Sequence, residues 1–493
     1  MCKYTKSLRS RQIRFDDSPF FRKFADTMTK KLLSLLTALA AVMCVSAEGP
    51  ARYVFYFIGD GMGMAHSLAA QVYNRTVRNS DEPLLMLSFP VASASTTHSA
   101  SSPVTDSAAA GTALSTGVKT RNAMLGMGPD TVPVISIARD FADNGFGVAL
   151  VTSVAPDDAT PGAFYAHVPN RGMYYEIGRQ MAESGYDFVA GSHLRGLKDK
   201  KGNPTDLLDC FAANDMAIAH GLDELKALPA GKALLLNPRE IDYHQIHFTI
   251  DSVAGAMNLP DMTAAALDRL ALNGRDRFFM MVEGGNIDYG GHANDGGTII
   301  KEVLNFNQAL RHAYDFYLAH PDETLIVVSA DHETGGMGLG NNSVGYDLHL
   351  GYIDHQKMSK DSLAEYCRSL KNRETPYTWS DMKGFLADRF GFWGPVPVTD
   401  EQTERLRAEF ERSANPETSK ENKTLYNSFN TFTEEVFHVF DSLTGLGFTS
   451  NHHTGGLVPV YAIGIGAEQF ANMNDNTDLP VKILKAAGLS RPE

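Results

Sequence analysis

The sequence predicts an α/β fold, a three-layer αβα arrangement in which a mostly parallel central sheet is covered by helices on both faces. Three observations lead there. Short, continuous apolar runs of strand length recur at 53–58 (YVFYFI), 147–153 (GVALVTS), 278–282 (FFMMV), 324–330 (TLIVVSA) and 458–463. Strands that are apolar throughout are those buried on both faces. Helix-patterned stretches such as 65–73, 262–272 and 298–320 separate the runs, and strand–helix alternation builds a parallel sheet. Finally, Asp, Glu, His, Thr or Ser follow the runs, at the carboxyl ends of strands, where open α/β sheets hold ligands.

The chain of 493 residues is long enough for one large domain or a core with an insert, and 43% hydrophobic residues suffice for a sizeable core. A net charge of -14 lacks the basic footprint of a nucleic-acid binder. Such a chain can still bind an anion where metal ions dominate the local field.

The amino-terminal 47 residues read as an upstream extension and a signal peptide. Met28-Thr29-Lys30-Lys31 is a basic start, 32–45 is apolar, and Val45-Ser46-Ala47 is a small-residue cleavage site before Glu48. The apolar run is too short for a comfortable membrane span, so export to the periplasm or medium is expected. Residues 1–27 leave the translation start open between Met1 and Met28. Cys44 follows Met43 rather than a small residue, which argues against a lipoprotein anchor. The mature chain keeps Cys210 and Cys367. An exported protein can pair them, but nothing in the sequence brings them together.

The first run ends in Gly59-Asp60-Gly61-Met62-Gly63, which puts Asp60 at a strand end, as a ligand or as a turn aspartate. Asp106-Ser107 opens a run of small helix formers, so Ser107 is either an N-cap or a residue at an anion-binding helix start. It is not in a G-x-S-x-G elbow, which argues against a Ser-His-Asp hydrolase. Asp157-Asp158-Ala159-Thr160-Pro161 follows the second run, and Pro161 stiffens the loop. Arg171 is a candidate clamp for two phosphate oxygens, while His167 reads as a packed histidine. The segment 185–259 shows no chemistry and reads as peripheral. The third run delivers Glu283, Asp288 and His292 together, and the fourth delivers Asp331 and His332. A core has no use for such groups at strand ends, whereas metal ions do. From 340 to 448 the composition turns polar and helical, an insert beside the core. The core resumes at His452-His453 and ends at 493, giving a catalytic core of 48–339 plus 449–493. Several carboxylates with three histidines (His292, His332 and one of His452 and His453) suit two zinc sites, and an all-oxygen set suits one magnesium site.

Six ordered motifs, IGDGMG (58–63), TDSAAAGTALSTGVKT (105–120), DATP with a downstream arginine (158–171), EGGNIDYGGH (283–292), ADHETGG (330–336) and HTGG (453–456), closely resemble the alkaline phosphatase family, in the family's order. The resemblance covers nearly the whole mature chain outside the insert. It implies hydrolysis of phosphate monoesters through a phosphoserine on Ser107, with Arg171 clamping phosphate and Asp106 holding Arg171. It implies a first zinc on Asp288, His292 and His453, and a second on Asp60, Asp331 and His332. Magnesium falls to Asp60, Thr160 and Glu283, with Asp158 reaching it through water. Either His452 or His453 could be the ligand, and the HTGG match favours His453. Two such metals clamp the attacking and leaving oxygens of an in-line displacement. Small-molecule monoesters with broad leaving groups, and a homodimer, are implied as well. A diesterase or sulfatase of the same superfamily, or a phosphate-binding protein that kept the scaffold, are the competing readings. One departure stands out: Tyr289 occupies a position where relatives carry Lys or His, which removes a positive charge near the phosphate. Asp158 follows the bacterial pattern associated with magnesium. The insert is longer than in compact bacterial members, where such elements form a crown or interface.

Overall fold

The computed structural model describes residues 49–238, 245–251, 254–370, 377–414 and 418–491. The extension and signal peptide read at 1–47 lie outside the described residues.

A ten-stranded sheet forms the centre. Its first eight strands in chain order are β1 (Tyr53–Ile58), β2 (Val91–Thr96), β3 (Gly147–Thr152), β4 (Phe188–Ala190), β5 (Met216–His220), β6 (Lys232–Leu236), β7 (Phe278–Glu283) and β8 (Thr324–Ser329). Val458–Gly464 and the short Asn474–Asp475 complete it, in the order Asn474–Asp475, β2, Val458–Gly464, β8, β1, β7, β3, β4, β6, β5. The pairs from β8 through β5 are parallel. Val458–Gly464 runs antiparallel to both β8 and β2, so the sheet is mixed at that end.

Alternation along each strand divides the core into two apolar layers. Phe55, Phe57, Met280, Val282, Ile326 and Val328 face one side, with the helices Leu259–Leu272 and Gly296–Ala319. Val54, Tyr56, Phe279, Met281, Leu325 and Val327 face the other, with Ser107–Thr116, Tyr174–Glu183 and Asp478–Ala486. With both faces covered, a polar residue inside a strand would be buried without solvent. The runs are therefore uniformly apolar until the strands end.

Capping fixes where the helices begin. Asn258 accepts the Asp261 N–H at 2.9 Å ahead of Leu259–Leu272, and Asp295 accepts the Thr298 N–H at 3.0 Å ahead of Gly296–Ala319. The register aligns the strand ends: Ile58 lies beside Glu283 and Ser329, and Thr152 beside Glu283. Every residue that follows these strands therefore emerges on the same edge.

Residues 340–448 contribute the helices Lys360–Leu370, Trp379–Phe390, Asp400–Ala414 and Thr431–Thr444 and the hairpin Glu421–Lys423/Ser428–Asn430. Their Leu386, Phe390, Phe437 and Phe440 merge into the first apolar layer. Lys360 anchors this region: its buried ammonium donates to the Ala293 carbonyl at 2.7 Å, at the carboxyl end of the helix Asn286–Ala293. A cation there satisfies an orphan carbonyl and complements the helix dipole. Cys210 and Cys367 are not joined; they belong to layers on opposite faces of the sheet. Among the described residues no helix is long and apolar enough to cross a membrane.

Candidate active site

Asp60 follows β1 in a tight turn that only glycine can make. Gly61 has φ +72°, and a Cβ on it would lie 2.9 Å from the Asp288 Cα and from Thr334 Oγ1. That close approach brings the β1 turn against the helix carrying Asp288 and His292. Asp331 accepts the Gly61 N–H at 3.1 Å, which ties the β8 end to the same turn.

Three histidines converge. His292 Nδ1 donates to the Asn451 carbonyl at 2.6 Å, and His453 Nδ1 donates to the Thr105 carbonyl at 2.9 Å. Those bonds put each ring's proton on Nδ1 and leave a lone pair on Nε2. The two Nε2 atoms face one another at 3.0 Å, and Asp288 approaches them at 3.4 and 3.6 Å. His332 Nε2 lies 3.5 Å from Asp60 Oδ1, 3.2 Å from Asp331 Oδ2 and 3.2 Å from Ser107 Oγ. Its Nδ1 contacts Thr334 Oγ1 at 3.2 Å, and that hydroxyl in turn donates to Asp288. Asp60 Oδ1, Asp288 Oδ2 and Asp331 Oδ2 are buried without a hydrogen-bond partner in the protein.

Lone pairs facing lone pairs and unpaired carboxylate oxygens are a cost that a cation removes. Asp60, Asp331 and His332 form one group whose donor atoms lie within 4.8 Å of one another, and Asp288, His332 and His453 form another. The residues present therefore fit metal ions. Burial raises Asp60 and Asp331 well above the usual carboxylate range, and neighbouring carboxylates add to the effect. Burial likewise pushes Glu283 up to about 7. His332 is driven well below its ordinary value by burial and then by His453, and His453 is lowered by burial. Thr160 Oγ1 donates to Asp60 Oδ2 at 3.3 Å, and Thr152 donates to Glu283, which gathers an oxygen-rich group beside the imidazoles.

Ser107 is the first residue of the helix Ser107–Thr116 and is buried; the N-cap is Asp106, whose Oδ1 accepts the Ala109 N–H at 3.0 Å. The serine is thus not itself the cap, and its hydroxyl is left facing His332. Asp106 Oδ2 accepts the Ala123 N–H at 3.0 Å and lies 3.6 Å from Arg171 Nη1. Arg171 Nη2 donates to Asp158 Oδ1 at 3.1 Å. Burial would raise Asp158, but Arg171 and then Arg195 hold it below the ordinary carboxylate range. His167 is packed, with its Nδ1 2.6 Å from the Gly126 carbonyl, and His452 is exposed, so His453 is the histidine that joins the cluster.

A sequence profile of the family described as alkaline phosphatase matches residues 51–187 and 177–489. The chain belongs to the alkaline phosphatase family. Alkaline phosphatase 4 of Bacillus subtilis is 30% identical over 450 residues, which span 88% of this chain and 89% of the relative. The cold-active alkaline phosphatase of a psychrophilic Shewanella superposes with a TM-score of 0.74 at 26% identity, over 90% of this chain and 100% of the other. The alkaline phosphatase of Thermus thermophilus gives 0.73 at 26% identity, over 90% and 93% of the two chains. As an alkaline phosphatase the chain is an enzyme, a phosphoric monoester hydrolase.

Four residues of this alkaline phosphatase's site went unread in the sequence. Thr152 and Thr334 sit in or beside recognised runs, and the parallel pairing of Thr152 with Glu283 was available in principle from the strand register. Arg195 comes from the segment read as having no chemistry, yet its Nη1 donates to Asp158 Oδ2 at 2.7 Å. Tyr426, at the turn of the hairpin in 340–448, stacks on Tyr289 with ring centroids 3.8 Å apart and planes 7° from parallel, and lies edge-on to His292 at 5.2 Å. Neither had a local signal.

Proposed function

We propose that hydrolysis proceeds through a phosphoserine on Ser107, with two zinc ions and one magnesium ion held on the strand-end edge. The observation that carries the metal assignment is the pair of facing Nε2 atoms of His292 and His453, beside unpaired oxygens of Asp60, Asp288 and Asp331. Imidazole with carboxylate suits zinc, so Asp288, His292 and His453 would hold one ion and Asp60, Asp331 and His332 the other. The oxygen set of Asp60, Thr160 and Glu283 suits magnesium. A mutant of the TAB5 alkaline phosphatase, 26% identical to this chain, is described with Mg bound in its M3 site. When bound, the ions lower the pKa of coordinated oxygens and neutralise charge on the leaving oxygen.

The remaining work falls to the chain. The helix Ser107–Thr116 points its positive end at the site and holds Ser107 at its first position, which favours an anion there. Ser107 Oγ forms the bond to phosphorus as the bond to the alcohol oxygen breaks; water then cleaves the phosphoserine and releases inorganic phosphate. Arg171 spans two non-bridging oxygens, where the transition-state charge is spread. Asp158 has both oxygens on guanidinium groups and would reach magnesium only through water. The same reading takes 48–339 plus 449–493 as the catalytic core, 340–448 as an insert, and the enzyme as an exported homodimer, this last on the resemblance and on the leader sequence.

The test is hydrolysis of p-nitrophenyl phosphate, bis-p-nitrophenyl phosphate and p-nitrophenyl sulfate, before and after chelation and with zinc and magnesium restored. The monoester is expected to be turned over fastest and only with metals present. Full activity in chelator would refute the metal assignment. Ser107→Ala should leave no trapped phosphoenzyme; turnover that survives it would refute the covalent route.

A further inference from the structure

We propose that Arg195 is a positioning residue of the phosphate clamp: it neutralises Asp158 from the side opposite Arg171, so that Arg171 presents its charge to the substrate. The inference rests on the reading of Arg171 as the phosphate-binding residue.

Arg171 lies between two carboxylates, Asp106 Oδ2 at 3.6 Å from Nη1 and Asp158 Oδ1 at 3.1 Å from Nη2. One guanidinium with two carboxylates carries a net charge of the wrong sign for an anionic ester. Arg195 Nη1 meets the other Asp158 oxygen at 2.7 Å. The row Asp106, Arg171, Asp158, Arg195 is then balanced, and Arg171 is no longer over-neutralised.

Arg195 is built into its position. The fully buried Asp157 accepts the Arg195 N–H at 3.0 Å and the Gly196 N–H at 2.8 Å, which fixes the backbone. Its guanidinium lies 4.3 Å from the centroid of the Tyr174 ring. The Arg195 side chain remains 31% exposed, whereas that of Asp158 is 5% exposed. Solvent at the partly exposed guanidinium screens the pair's contribution to the fold, so its consequence falls on the buried member and on what that member touches.

The experiment uses the zinc- and magnesium-loaded enzyme and reads KM for p-nitrophenyl phosphate, the competitive inhibition constant Ki for inorganic phosphate, and the melting temperature. Arg195→Gln is expected to raise KM and Ki together by roughly tenfold with the melting temperature nearly unchanged, and Arg195→Lys to recover most of the loss. In an Asp158→Asn background, Arg195→Gln should cost much less, because no carboxylate is left to neutralise. An unchanged Ki in Arg195→Gln, an equal loss in both backgrounds, or a loss that tracks only a fall in melting temperature would each overturn the proposal. Arg171→Ala is the control. If it raises Ki while Arg195→Gln does not, only the role of Arg195 fails; if it leaves Ki unchanged, the clamp reading fails and this proposal with it.

Discussion

Two carboxylates of one site, Asp60 and Asp158, are displaced in opposite directions. Asp60 is buried beside Asp331, Asp288 and Glu283 and is pushed up. Asp158 is just as buried but sits between two guanidinium groups and is pulled down. The strand-end cluster concentrates negative charge and lone pairs that the chain does not balance. The clamp, a few residues away, is balanced by the chain itself. The first region fits cations, whereas the second is charge-balanced as folded; on the proposed reading Arg171 there faces the substrate's anion and Asp158 touches magnesium only through water.

Removing metal should separate the two regions most sharply. Chelation is expected to lower kcat by at least about a thousandfold, with recovery on adding zinc and magnesium, and metal analysis should track the loss. Arg171→Ala breaks the other side: kcat/KM should fall roughly a hundredfold or more while metal content stays at the wild-type level, measured by steady-state kinetics alongside elemental analysis. A loss of metal in that variant would show that the regions are not independent. A smaller effect is expected for Thr152→Val, which removes the hydroxyl that donates to Glu283. Magnesium affinity should fall about tenfold, read from activity against magnesium concentration at saturating zinc. Smallest, Tyr426→Ala should lower the preference for aryl over alkyl phosphates by roughly fivefold, because it strips one ring from the stack beside His292.

The sheet was readable because its inner strands are buried on both faces, so each appears as an unbroken apolar run. The cluster was readable for a related reason: its carboxylates come at the ends of those runs, and Asp60, Glu283 and Asp331 emerge on one edge once the strands are in register. The short strands β4–β6 were less visible, since β4 has only 3 residues and β5, at the sheet edge, is partly exposed. Arg195 was missed because its partner lies 37 residues earlier, after the neighbouring strand β3, and a lone arginine in a loop has no pattern. Tyr426 was missed because the region 340–448 matched no motif; its role depends on where a hairpin turn lands, which is a tertiary fact. Tyr289 looked like a lost charge in isolation. In the fold, Tyr289 is within electrostatic reach of the Arg195 guanidinium, a cation that no motif supplies.

The bond from Lys360 to the Ala293 carbonyl bears on how this enzyme can be re-engineered. Residues 340–448 look detachable in sequence, yet through that ammonium they close the end of the helix that carries Asp288 and His292. Trimming them to obtain a smaller catalyst with a wider mouth would also unfasten one end of that helix. Size reduction in this scaffold therefore has to start elsewhere, or to supply a new cation at the same carbonyl.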